Sequence, residues 1–131
     1  MPEKLRILII DDEEVVCRSC ERFLKEEGYD VRTAYNGRDG IILIEENNYD
    51  IVITDLKMPG MSGMEILDYI KDKYPDIQVI MITGYSTTAN AEESVKKGAA
   101  DYIQKPFAPS ELLSVVIETS KKIGKTRQDS F

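Results

Sequence analysis

With 131 residues, 17 Lys or Arg against 24 Asp or Glu, no histidine and a formal charge of −7, the chain has length for one compact domain. The acidic balance repels a phosphate backbone, so no direct nucleic-acid contact is expected, and the lack of histidine excludes the usual general base, the commonest metal ligand and any phosphohistidine. No apolar run approaches the roughly 18 residues of a membrane helix, and Met1–Lys4 has no basic-then-apolar leader, so a cytoplasmic protein with no membrane partner is expected.

Residues 5–10 form a near-continuous apolar run, predicting a strand buried on both faces. Asp11 and Asp12 follow, then a helical pattern to about Glu27, stopped by Gly28. Cys17 and Cys20 lie in that helix with Val16, Phe23 and Leu24. Three apart, they share one helix face. A zinc site needs two further Cys or His ligands, so core packing is the expectation. Residues 31–34 predict a short strand, and Asn36-Gly37 turns the chain into a helix to about Asn47. Residues 51–54 predict a third strand. Met58-Pro59-Gly60 marks a loop. Ser62 can cap a helix ending near Lys73, before Tyr74-Pro75. Residues 78–82 predict the fourth strand, 87–97 a helix closed by Gly98, and 101–104 a fifth strand. Pro109 and Ser110 open a last helix to about Ile123, which Gly124 is expected to end, leaving 125–131 as a polar tail or linker after a domain of residues 1–124.

Five alternating βα units predict an α/β fold, a doubly wound five-stranded parallel sheet with flanking helices. Such sheets bind ligands outside the carboxyl ends of their strands, at the switch point of strand order. Four of the five runs end there in reactive groups: Asp11 and Asp12, Asp55, Thr83, and Lys105. In a flavodoxin-like order 2-1-3-4-5 they converge on one rim. Two carboxylates about 4 Å apart repel by roughly 4 kcal/mol at an effective dielectric near 20. A hard divalent cation relieves that repulsion, and Mg²⁺ accepts one or two carboxylates with waters and phosphate.

The pieces ILIIDDE, AYNG, ITDLKMPGMSG, MITGY and KKGAADYIQKPF stand in order along nearly the whole chain. Together they resemble bacterial two-component response-regulator receiver domains. The resemblance implies a switch, not a metabolic enzyme: Asp55 accepts a phosphoryl group from a partner sensor histidine kinase in a Mg²⁺-dependent reaction. It implies Asp11 and Asp12 as the acidic pair holding Mg²⁺ with Asp55, the backbone carbonyl of Lys57 as a further ligand, and Lys105 and Thr83 as contacts to the phosphoryl oxygens. Tyr102 is implied as the aromatic residue that turns inward with Thr83, and Lys105–Pro106 as a cis bond. Slow self-catalysed hydrolysis, and a partner or second copy held at the fourth helix, fifth strand and fifth helix, belong to the same implication. The TGYST segment resembles receivers of enhancer-binding transcription activators, which carry downstream output modules.

The same residues have plainer uses. Either Asp11 or Asp12 can cap the first helix, Lys105 can be a solvated lysine, and Tyr102 can be sheet packing. A haloacid-dehalogenase-type phosphohydrolase would show D-x-D after the first strand, where this chain has D-D-E. A Rossmann nucleotide binder would show G-x-G-x-x-G there. A receiver that works without phosphate loses the acids or the lysine, all present here. Two positions depart from the receiver pattern. Gly40 replaces the usual Ala inside the second helix, at about 1 kcal/mol of helix stability. Glu92 replaces an aliphatic in the fourth helix, whose apolar residues reduce to little more than Ala89, Ala91 and Val95. That helix is expected to be loosely held and to move on activation.

Overall fold

A computed structural model describes residues 4–84 and 88–129. Apolar runs flanked by turn residues form β1 (Arg6–Ile10), β2 (Asp30–Ala34), β3 (Ile51–Asp55), β4 (Gln78–Thr83) and β5 (Asp101–Gln104). Amphipathic stretches form α1 (Glu14–Glu26), α2 (Gly37–Glu46), α3 (Gly63–Lys73), α4 (Thr88–Lys96) and α5 (Pro109–Asp129). The strands make one sheet in the order β2-β1-β3-β4-β5, every pair parallel. This is the flavodoxin-like arrangement, and its switch point lies between β1 and β3.

Side-chain alternation along the strands builds two apolar layers. On one face Ile7, Ile9, Ile51, Ile53, Ile80 and Ile82 pack under Cys17, Cys20 and Leu24 of α1 and Leu112 and Val116 of α5. On the other, Leu8, Ile10, Val52, Val79 and Met81 pack under Ile44 of α2 and Ile66, Leu67 and Ile70 of α3. Both thiols are buried and free. Burial, then the nearby Asp11 charge, pushes Cys17 up to about 12 and Cys20 up to about 11. Such thiols stay protonated at neutral pH and behave as core residues.

The local stops follow the residue chemistry. Gly28 and Gly98 take φ of 98° and 113°, the left-handed region where Gly ends α1 and α4. Asn36 and Ser62 cap α2 and α3 by accepting from Asp39 N and Glu65 N. One expected boundary is corrected: α5 runs through Gly124 to Asp129. A single Gly costs a helix only about 1 kcal/mol, and the Lys, Arg and Gln that follow are good helix formers. The expected α4 start at Thr87 lies outside the described residues. Among the described residues no helix is long and apolar enough to cross a membrane.

Gly40 has a packing reason. A Cβ there would overlap Ile10 Cδ1 and lie 2.9 Å from Ile10 Cγ1. Ile10 is fully buried at the end of β1, so the missing side chain lets α2 settle directly onto the strand that leads into Asp11.

Candidate functional site

The rim begins where β1 and β3 end. Asp11 is fully buried and Asp55 only 6% exposed, whereas Asp12 faces solvent. Each of Asp11, Asp12 and Asp55 offers one carboxylate oxygen, and these atoms lie within 4.8 Å of one another. Backbone bonds continue the sheet past the strand ends: Asp11 N donates to Ala34 O at 3.2 Å, Leu56 N to Ile82 O at 2.8 Å and Lys105 N to Thr83 O at 2.7 Å. The carboxylates are therefore set by the ladder rather than by flexible loops.

Asp11 does not cap α1, whose N-cap is Glu13 with no side-chain cap bond, and its two oxygens have different neighbours. Its Oδ1 accepts from Glu13 N at 2.9 Å, at the start of α1. Its Oδ2 is buried, has no aligned hydrogen bond, and lies 3.0 Å from Lys105 Nζ as an ion pair. Lys105 Nζ also approaches Glu13 Oε1 at 2.8 Å and Asp55 Oδ2 at 3.4 Å. The Lys105–Pro106 bond is cis.

The electrostatics follow from burial. Burial first, then the Asp11 charge, pushes the Asp55 carboxyl up to about 6, against the pull of Lys105 and the Lys57 backbone N–H. Asp11 is raised chiefly by burial, opposed by the Glu13 backbone and by Lys105. Burial alone would lower Lys105, but its hydrogen bond to Glu13 and the negative charges of Asp11 and Asp55 beside it leave it raised.

Asp11, Asp12 and Asp55 cluster beside the Lys105 ammonium, which pairs with Asp11 and Asp55, all cation-facing donors are oxygens, and the buried Asp11 Oδ2 lacks an aligned hydrogen bond. That donor set fits a hard divalent cation such as Mg²⁺. The residues able to hold it are Asp11, Asp12 and Asp55. Lys57 is exposed in the adjoining loop, and its backbone N–H serves the Asp55 carboxylate.

Thr83 ends β4 on the same rim and is 1% exposed. It continues the alternation of Val79 and Met81, so its side chain belongs to the face on which half-buried Tyr102 also packs. Asp11 and Asp55 continue Ile9 and Ile53 on the opposite parity. Thr83 and Tyr102 thus share a face beside the acidic cluster.

Two contributors escape a reading by motif. Glu13 is bonded to Lys105 across 92 positions of chain; its only sequence signal is that it is the third acid of DDE. Gly63 begins α3 directly beneath the β3 end. A Cβ there would overlap the Asp55 carbonyl oxygen and lie 2.8 Å from Leu56 Cα, while Gly63 N donates to Leu56 O at 2.9 Å. The Gly in MSG is required by close backbone approach.

Residues 7–117 match the family model of the response regulator receiver domain. Among solved structures, a response regulator receiver domain protein from Clostridium thermocellum is 35% identical with a TM-score of 0.88, covering 93% of this chain and 98% of that one. A CheY-like receiver domain protein from Methanospirillum hungatei is 34% identical with a TM-score of 0.89, covering 95% and 99%. NtrX from Brucella abortus is 28% identical with a TM-score of 0.92; the match covers 98% of this chain and 30% of NtrX.

Proposed function

Since the chain belongs to the response-regulator receiver domains, a family of signalling switches, we propose that it accepts a phosphoryl group from a partner histidine kinase on Asp55 and relays that event to an output module. The observation that carries this reading is the placing of Asp55: a buried carboxylate 3.4 Å from Lys105 and clustered with Asp11 and Asp12.

An Asp55 oxygen attacks phosphorus in line, and the leaving group departs with the bonding pair. The product is a mixed anhydride. Phosphoryl transfer asks for positioning and charge stabilisation more than covalent help, so no histidine base is needed. Mg²⁺, held by Asp11, Asp12, Asp55 and the Lys57 carbonyl, would supply charge neutralisation. Lys105 pairs with the phosphoryl oxygens. The new group brings about two negative charges and three strong acceptors. Thr83 donates its hydroxyl to it, and Tyr102 follows into the space released. The change reaches the surface of α4, β5 and α5, where a partner or a second copy binds. Slow hydrolysis resets the switch. The phosphoacceptor unit is residues 1–124, with 125–131 as the connection onward, working in the cytoplasm.

Incubation with Mg²⁺ and acetyl phosphate, read by intact mass, tests this. The parent gains one phosphate and Asp55→Ala gains none. No gain in the parent removes the phosphoacceptor reading; equal gain in the variant moves the site.

A further inference from the structure

The Lys105 ammonium has three donors and three carboxylate neighbours of unequal character. Asp11, at 3.0 Å, is fully buried, and the Asp55 side chain, at 3.4 Å, is 9% exposed. Glu13, at 2.8 Å, makes the shortest contact, yet its side chain is 61% exposed. The buried acids are fixed by the strand ladder. Glu13 stands at the first turn of a helix and can turn into water, where its charge is solvated at little cost. It is therefore the partner of Lys105 most easily exchanged.

Its position makes the exchange matter. Glu13 and Lys105 both line a groove of about 540 Å³ that is also lined by Val16 and Phe107. The incoming phosphoryl group needs the ammonium that Glu13 holds, and carries the same sign of charge.

Resting on the phosphoacceptor reading above, we propose that Glu13 is a specificity-determining residue of the phosphorylation step. It occupies Lys105 in the resting domain and sets an exposed negative charge beside the ammonium that must receive the phosphoryl group, so it disfavours phosphodonors in proportion to their negative charge. In the step itself an Asp55 oxygen forms its bond to phosphorus. The bond from phosphorus to the donor's oxygen in acetyl phosphate, or to its protonated nitrogen in phosphoramidate, breaks, and acetate or ammonia leaves with the bonding pair. Near neutral pH acetyl phosphate carries about two negative charges and phosphoramidate, with its ammonium, about one.

The test measures the rate of phosphate gain by mass at saturating Mg²⁺ with each donor, for the parent, Glu13→Gln and Glu14→Gln. Glu14 is the adjacent acid, paired with Arg18 on the outer face of α1, and serves as the neighbouring-charge control. Removing one charge at this range changes a rate by about three- to tenfold. Glu13→Gln should accelerate acetyl phosphate by that factor and phosphoramidate by less, shifting the ratio of the two rates. The shift should shrink as salt is raised, and Glu14→Gln should leave the ratio at the parent value. A ratio unchanged in Glu13→Gln, or moved equally by Glu14→Gln, overturns the assignment while leaving Asp55 as acceptor. No phosphate gain by the parent from either donor overturns the acceptor reading and this inference together.

Discussion

Helices α1 and α4 lie on opposite faces of the same sheet and are held very differently. α1 drives Cys17, Cys20 and Leu24 into the core, with Val16 and Phe23 packed beside them. In α4, the side chains described from residue 91 onward bury only Ala91 and Ser94, and Ser94 turns its hydroxyl back onto the Ala91 carbonyl at 2.6 Å. Glu92 is exposed and Val95 is 40% exposed. A helix that buries so little apolar area has little to hold it. The contrast teaches a division of labour: the acids are anchored next to the well-packed helix, and the side of the sheet carrying Thr83 and Tyr102 borders the weakly packed one. Chemistry needs fixed geometry, while a signal needs an element that moves at low cost.

The largest effect expected from this contrast is in amide hydrogen exchange. Core helices approach global protection, and loosely packed elements open locally. Amides of residues 91–96 should exchange at least about a hundredfold faster than those of 17–24 in the unphosphorylated protein. Equal protection of the two helices would break the comparison.

Next in size is a pH effect on the anchored side. Without Mg²⁺, Asp55 ionises at about 6 in the fold, against 3.8 ordinarily, chiefly because it is buried. A carboxyl raised by folding keeps its proton more tightly in the native state. Its contribution is fully present below pH 3.8 and is lost as pH rises through about 6. At pH 7.5 the ionised group then costs on the order of 3 kcal/mol. In Mg²⁺-free buffer Asp55→Asn should therefore melt above the parent at pH 7.5, by calorimetry, and the gap should close near pH 4. Mg²⁺ added at pH 7.5 should raise the parent's melting temperature and not that of the variant. A parent equally stable at both pH values would show that the cluster is not strained.

The smallest effect concerns packing beneath the rim. Gly40→Ala gains about 1 kcal/mol of helix propensity but forces Ile10 to move, and overpacking costs about 1–3 kcal/mol. A net loss of about 1 kcal/mol should appear in urea denaturation. A stabilised variant would show that Ile10 yields freely and that the β1 end is less rigid than α1 implies.

Much of this was legible in the residues. Buried parallel strands read as continuous apolar runs because both faces are covered, so 5–10 and 51–54 announced themselves. Strand-end polar residues pointed to the site because parallel sheets open a crevice there. The fate of Gly124 was not legible, since a single Gly can end a helix or sit within one at small cost. Glu13 was not legible as a partner of Lys105, because that contact joins the first and fifth strand ends. Gly40 read as a weakness in α2 until Ile10 was seen filling the space a methyl group would take.

The amino-acid sequence alone determined the alternation of elements, the hydrophobic character of the strands, and which acids and which lysine stand at strand ends. These follow from local periodicity and short-range chemistry. Only the tertiary structure decided that Asp11 gives one oxygen to the Glu13 N–H and leaves the other facing Lys105, that Glu13 closes on the same lysine, and that Gly40 makes room for Ile10. Those facts depend on which distant segments meet, and the energy of a buried charge is set by its three-dimensional neighbours rather than by its place in the chain.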